Sequence, residues 1–200
     1  NNDPVNAWND LSGNARNLSQ ATSSKRAIYK TNSQNGLPGV LPDGSDDQYA
    51  VASGATLTDA TIFAVFNQTA NAGAKVVVGG ALNGSLWFGT DFDERGYLGV
   101  AAVSTIAKTT SVAPVGSAML LTGQYTSAGS SAILRVNRVD DTGTVTAQTI
   151  STANDTVIAR GASSNTFNGT IYEIVFYNRL LSTAEIALVE NYLKAKWNTP

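Results

Sequence analysis

The chain contains no cysteine and no histidine. The first absence excludes a disulfide framework, a thiol nucleophile and a thiolate metal site, and it leaves an extracellular setting compatible with the sequence. The second removes the usual neutral-pH general base, the partner of a serine nucleophile and the commonest zinc ligand. What remains for chemistry is carboxylate, Lys, Tyr and Arg. Charge is sparse as well: 14% of the 200 residues are charged, and 13 Lys and Arg against 15 Asp and Glu leave a net charge of −2. Without a basic cluster, neither nucleic acid nor an anionic membrane surface is expected as a partner. No apolar run approaches the ~18 residues needed to span a bilayer, so a soluble chain is expected. The abrupt opening Asn1-Asn-Asp-Pro reads as the start of a piece of a longer protein.

Hydrophobic residues make up 42% of the chain and are drawn largely from Ala, Val, Leu and Ile, beside abundant Thr, Ser, Asn and Gly. That mixture suits short strands and polar turns better than helices. The length supports one sizeable core, and no linker or repeat divides it, so residues 1–200 are read as one domain. Strands are expected at 61–66, 75–79, 85–88, 97–103, 118–125, 132–138 and 145–150, with hairpin turns at Asn83-Gly84, Gly129-Ser130 and Asp141-Thr-Gly143. Two stacked antiparallel sheets are the simplest way to bury them. Along 132–138, Ile133, Arg135 and Asn137 share one mixed face, which suits a strand with an open, ligand-accessible side.

The C-terminal thirty residues are the most specific. From Thr170 to Asn178 both strand faces are bulky with one charge, Glu173, as in a strand covered on both sides. Ser182 followed by Glu185 makes a capping box, with Leu181 and Ile186 as its hydrophobic staple. Ile186, Val189, Leu193 and Trp197 then form an apolar helical stripe, with Glu185, Glu190, Lys194 and Lys196 placed off it. This helix is expected to pack on the sandwich, a partner-binding helix being the alternative.

This strand and helix resemble the closing elements of laminin-G-like domains of the concanavalin A-like superfamily. The opening is similar too: Trp8-Asn-Asp, Ser12-Gly-Asn and Gln20-Ala21 follow the family spacing. So do Arg26-Ala-Ile-Tyr29 and Asn35-Gly-Leu-Pro-Gly-Val-Leu-Pro-Asp-Gly-Ser-Asp-Asp47, with Ala27 in place of a Pro and Pro42 in place of an aromatic. Pro42 cannot donate to a ladder, so a strand at 39–41 is expected to be short or at an edge. The resemblance implies an all-β, concanavalin A-like jelly-roll sandwich of two antiparallel sheets with a C-terminal helix. It also implies an extracellular, cell-surface or virion setting. Function is less constrained, because this fold carries lectins, adhesins, phage structural modules and glycosidases.

Three groups of residues bear on chemistry. Asp43, Asp46 and Asp47 crowd one loop, and Asp91, Asp93 and Glu94 crowd another; each offers hard oxygens suited to calcium, or carboxylates that simply satisfy turn amides. Trp87, Tyr97 and Tyr125 lie on or beside strands. Trp87 shares a face with Ser85 and Gly89, which makes it either a platform for a sugar ring, flanked by Asn83 and Asp91, or a core filler. Trp8 and Trp197 are read as core. A glycosidase of this fold needs two acids close together, written as Glu-x-Asp-x-x-Glu, and no such string occurs among the four Glu: Glu94, Glu173, Glu185 and Glu190. Sequons at Asn17, Asn67, Asn83, Asn154 and Asn168 arise readily in so Asn-, Ser- and Thr-rich a chain and decide nothing.

The sequence therefore leads to a non-catalytic recognition or adhesion module, not an enzyme, that binds glycan or a surface partner within an extracellular or phage tail protein. Its rival is a structural virion or appendage subunit that contacts its own assembly.

Overall fold

The computed structural model describes residues 2–51, 59–69, 73–79, 86–100, 104–126, 132–145, 157–158 and 166–200. The strands are β1 (Ala7–Trp8), β2 (Leu18–Ser19), β3 (Ile28–Gln34), β4 (Leu37–Leu41), β5 (Tyr49–Val51), β6 (Asp59–Gln68), β7 (Lys75–Gly79) and β8 (Leu86–Thr90). They continue with β9 (Arg95–Val100), β10 (Ser104–Val112), β11 (Ala118–Thr126), β12 (Ala132–Val136), β13 (Val139–Asp140), β14 (Thr142–Val145), β15 (Val157–Ile158) and β16 (Gly169–Tyr177). The chain closes with helix α1 (Thr183–Trp197). A nine-stranded sheet runs β1-β2-β5-β15-β7-β8-β9-β10-β14 and a seven-stranded sheet β13-β12-β11-β6-β16-β4-β3, with every recorded pairing antiparallel.

The period of two along a strand decides where each layer sits. On β6, Ile62, Ala64 and Phe66 enter the core between the sheets, while Phe63 and Val65 face the other way, into a second cluster beneath α1. On β11, Met119, Leu121 and Tyr125 enter the inter-sheet core and Leu120 joins the helix cluster. Gly123 lies opposite Phe88: a Cβ there would come within 2.6 Å of the ring, so the glycine is what lets the sheets approach. The bulky faces of β16 follow from its place between β6 and β4, under α1 on one side and over the core on the other.

Helix α1 starts as the sequence predicts. Ser182 accepts the Glu185 amide and Glu185 accepts the Ser182 amide at 2.8 Å, completing the capping box. Trp197 stacks on Tyr172 at 5.3 Å between centroids, and its indole N–H donates to Glu173. Glu190 corrects the expected stripe. It is 1% exposed, because α1 turns Ile186, Glu190, Leu193 and Trp197 to the sheet and leaves Val189 half-buried. Arg135 donates to its carboxylate through Nε at 2.9 Å and Nη2 at 3.1 Å, and Thr122 donates its hydroxyl at 2.9 Å. The expected open face of β12 is therefore not open at Arg135, which the helix covers.

Other boundaries move for local reasons. β4 is not an edge strand; it lies between β16 and β3, and its pairing with β3 slips between Lys30 and Gln34, opposite Pro38. Asn137 and Arg138 both have positive φ, which ends β12 at Val136 in a tight reversal into β13. The turn expected at Asp141-Thr-Gly143 is instead the start of β14, paired to β10. The turns expected at Asn83-Gly84 and Gly129-Ser130 lie outside the described residues, as do 101–103 and 146–150 of two expected strands. Among the described residues no helix is long and apolar enough to cross a membrane.

Candidate functional site

The seven-stranded sheet carries α1 on its outer face. On the nine-stranded sheet, β8 turns Leu86 and Phe88 into the core and Trp87 outwards, half-buried. Its neighbour β9 does the same with Leu98 and Tyr97. The pairings Trp87↔Gly79, Trp87↔Gly99 and Tyr97↔Gly89 put each ring beside glycine on the adjoining strands. A Cβ at Gly99 would overlap the hydroxyl, Cε1 and Cζ of Tyr97, and one at Gly79 would lie 2.9 Å from Trp87 Cδ1. Both rings thus lie down on the sheet in spaces that only glycine leaves. The result is a low aromatic floor across β7, β8 and β9.

Polar groups border this floor on the side of the β8–β9 turn. Lys108 on β10 is the cross-strand partner of Tyr97. Its ammonium pairs with Asp91 and, at 2.7 Å, with Asp93. Those two hydrogen-bonded carboxylates raise the Lys108 pKa, and the Lys108 hydrogen bond holds Asp93 below the usual carboxylate range. Asp91 also accepts the amides of Asp93 and Arg95 at 3.0 Å, which fixes the turn. Phe92 stands at its tip, 69% exposed.

The sequence-predicted site residues separate accordingly. Trp87, Tyr97 and Asp91 belong to one region, around the β8–β9 hairpin. Tyr125 is corrected: at 2% exposure it lies in the inter-sheet core and not on a surface, because the alternation along β11 places it with Met119 and Leu121. Asn83 lies outside the described residues. The second acidic group, Asp91, Asp93 and Glu94, is also corrected. Lys108 neutralises its first two members, and Glu94 sits in a left-handed turn conformation, φ 60°, without joining a ligand cluster.

Asp43, Asp46 and Asp47 do gather, with one carboxylate oxygen of each within 4.8 Å of the others. Asp43 accepts the amides of Ser45 and Asp46, and Asp47 accepts the Asp43 amide at 2.8 Å. Burial pushes the Asp47 carboxyl above its ordinary value, the Asp43 amide opposes this, and the charges of Asp43 and Asp46 add to the rise. No Lys or Arg pairs with the three among the described residues. Three hard oxygens crowded without a cation suit calcium. Glu173, by contrast, is occupied by α1: Trp197, Lys196 at 3.0 Å and Tyr192 at 3.3 Å hold its carboxylate.

The sequence reading missed Lys108 and the two floor glycines, Gly79 and Gly99. The spacing Tyr97-Leu-Gly99 carried the signal, since residues two apart share a strand face. Nothing local to Lys108 marks its partners, which lie 15 and 17 positions away.

No family model matches this sequence, and no curated protein does. Solved structures do match. Domain 4 of AbnA, an extracellular GH43 arabinanase from Geobacillus stearothermophilus solved with arabinotriose, superposes with a TM-score of 0.67 at 13% identity, over 86% of this chain and 82% of that one. A mutant GH54 α-l-arabinofuranosidase gives 0.65 at 16% identity, over 97% of this chain and 51% of that one. Trypanosoma rangeli sialidase gives 0.56 at 14% identity, over 86% of this chain and 30% of that one. This chain thus spans about half or less of the two longer enzymes. These likenesses establish a β-sandwich of the concanavalin A-like jelly-roll class.

They also correct an expectation. The sequence reading excludes an enzyme and commits to a non-catalytic module or a structural subunit. Neither the exclusion nor the commitment holds, because the matching folds occur in an arabinanase, an arabinofuranosidase and a sialidase. A missing linear motif is weak ground for it, since strands bring together carboxylates that are distant in sequence.

Proposed function

We propose that this chain engages glycans, either holding or processing them, through the outer face of its nine-stranded sheet. The observation that carries this reading is the aromatic floor of Trp87 and Tyr97 laid flat over Gly79 and Gly99. A sugar ring has an apolar C–H face and polar edges; the floor matches the first, and the Tyr97 hydroxyl with the Lys108, Asp91 and Asp93 border matches the second. The arabinotriose bound to domain 4 of AbnA supports a saccharide ligand, and the extracellular description of that enzyme supports an extracellular setting. Residues 1–200 act as one laminin-G-like domain of a longer protein. Asp43, Asp46 and Asp47 hold calcium, which stiffens their loop and takes no chemical part.

Calorimetric titration with arabinotriose and a panel of plant and animal oligosaccharides tests this directly, with released reducing ends measured in the same samples. Trp87→Ala is expected to lower affinity at least tenfold for any ligand found. Binding that survives Trp87→Ala unchanged removes this face from the reading.

A further inference from the structure

The charges around the floor decide which saccharides it accepts. Among the described residues two cations border the floor, Lys108 on β10 and Arg95 on β9, and both are engaged. Lys108 is held by two carboxylates, Asp91 and Asp93. Arg95 donates Nη1 to the Thr109 carbonyl at 3.2 Å, and its charge helps keep Asp93 ionised. A third carboxylate, Asp141, lies next to β10, where it accepts the Thr110 hydroxyl and the Ser111 amide. Among the described residues these two positive and three negative groups leave an excess of one negative charge, and Glu94 of the same turn is set against Lys75 without changing the balance.

Recognition of a sugar carboxylate works best through a guanidinium or ammonium that is desolvated yet unspent, ideally in a bidentate pair. Neither cation here is unspent. An incoming uronate or sialate has to displace an intramolecular carboxylate from Lys108, or sit against Asp91 and Asp93 with like charge unscreened at short range. Hydroxyls meet no such penalty. They can donate to the outward oxygens of Asp93, which is 69% exposed, and accept from Lys108, which is 30% exposed.

From this we infer that the floor is selective for uncharged saccharides and rejects anionic ones, with Asp91 and Asp93 as the specificity-determining residues. The inference rests on the glycan reading above and narrows it. Asp91 and Asp93 act by keeping Lys108 neutralised, so the border is a filter as well as a hydrogen-bonding edge.

The test uses the whole chain and one oligosaccharide in two forms: unmodified, and with its primary hydroxyls oxidised to carboxylates. The unmodified form is expected to bind roughly tenfold or more tightly, a ratio set by like charges a few ångström apart near a protein surface. The ratio should narrow in Asp93→Asn and narrow further, or invert, in the Asp91→Asn/Asp93→Asn pair, where Lys108 is released. The Asp91→Asn change keeps a side-chain oxygen for the turn amides, and melting temperature confirms that each variant is folded. Should the pair unfold, Asp93→Asn alone decides, because its side chain is mostly in solvent. Equal or tighter binding of the oxidised form by the wild-type chain overturns the selectivity and leaves the glycan reading standing. Binding of neither form, across the panel, overturns both.

Discussion

Gly99→Ala isolates the aromatic floor from the fold. Gly99 is outside the set of glycines with positive φ, so its backbone accepts an L side chain without conformational strain. The added methyl meets only the far end of Tyr97, the hydroxyl, Cε1 and Cζ, and no backbone atom is among the three nearest. The ring therefore has to rise from the sheet by rotation about its own torsions. An off-rotamer displacement of that kind costs about 0.5 to 1.5 kcal/mol. Part of it is offset by the about 0.4 to 1 kcal/mol that Gly→Ala contributes by restricting the unfolded chain. Net stability should change by less than about 1 kcal/mol, or roughly 2 to 4 °C in Tm for a chain of this length. Binding responds differently. A sugar ring lying against Trp87 meets a raised Tyr97 edge where the floor was level, and losing one such packed face is worth about 1 to 1.5 kcal/mol, near tenfold in Kd. Paired thermal melts and calorimetric titrations read both quantities. Unchanged affinity refutes the flat-floor reasoning, and a fall of about 10 °C or more in Tm, well beyond that range, refutes the claim that the Tyr97 side chain and not the backbone takes up the added methyl.

Four further outcomes are expected. Glu190→Leu should cost about 3 kcal/mol in denaturant unfolding, the lower end for a broken buried pair because the Arg135 side chain is 21% exposed; Arg135→Met/Glu190→Leu should recover most of it. No recovery would mean the pair does more than cancel its own burial. Trp197→Ala should cost roughly 3 to 5 kcal/mol by emptying its stacked place against Tyr172, whereas unchanged stability would mean that α1 is not docked. The hydrogen bonds that Arg179 and Ser182 donate to its carboxylate hold Glu185 down to about 2. Because the folded value lies below the unfolded one, its contribution is present above about 4.5 and is lost as pH falls towards 2, so wild type and Glu185→Gln should converge in Tm across that window. Asp47 has the opposite sign. Burial raises its pKa, so its ionisation destabilises the native chain as pH rises through and above the carboxylate range. Asp47→Asn should then raise Tm in chelator and abolish the rise that millimolar calcium gives the wild type; no calcium response in either removes the metal site.

The sequence shows most where interactions are local. The capping box of α1 is complete within four residues, Ser182 to Glu185, and the floor rings alternate with core residues within single strands, so both can be read by counting. Glu190 could not be read that way. Whether a carboxylate one turn along a stripe is exposed depends on Arg135 and Thr122, which lie 55 and 68 positions earlier and meet it only once β11, β12 and α1 are stacked. The strands β3 and β10 escaped for a related reason. Runs such as Lys-Thr-Asn-Ser-Gln and Lys-Thr-Thr-Ser-Val lack the apolar alternation of a half-buried strand, and pairing with neighbours holds them in place. Tyr125 failed in the other direction, because an aromatic on a strand carries no mark of which face the partner sheet will cover.

The two outer faces of the sandwich differ in what they leave for a ligand. On the seven-stranded sheet, α1 buries Ile186, Leu193 and Trp197 against Phe63, Val65, Leu120 and Tyr172, and the two carboxylates beneath this helix are tied down: Glu190 by Arg135 and Thr122, Glu173 by Trp197, Lys196 and Tyr192. That side stabilises. On the nine-stranded sheet, the outward positions of β7, β8 and β9 include Trp87 and Tyr97 beside Gly79, Gly89 and Gly99, with Val76 and Arg95 on the same face. Gly89 answers to the backbone, since a Cβ there would overlap the Lys75 carbonyl oxygen, whereas a Cβ at Gly79 or Gly99 would meet the rings of Trp87 and Tyr97 among its nearest atoms. Gly79 and Gly99 therefore leave the two rings room to lie flat, which is the feature the proposed glycan face depends on.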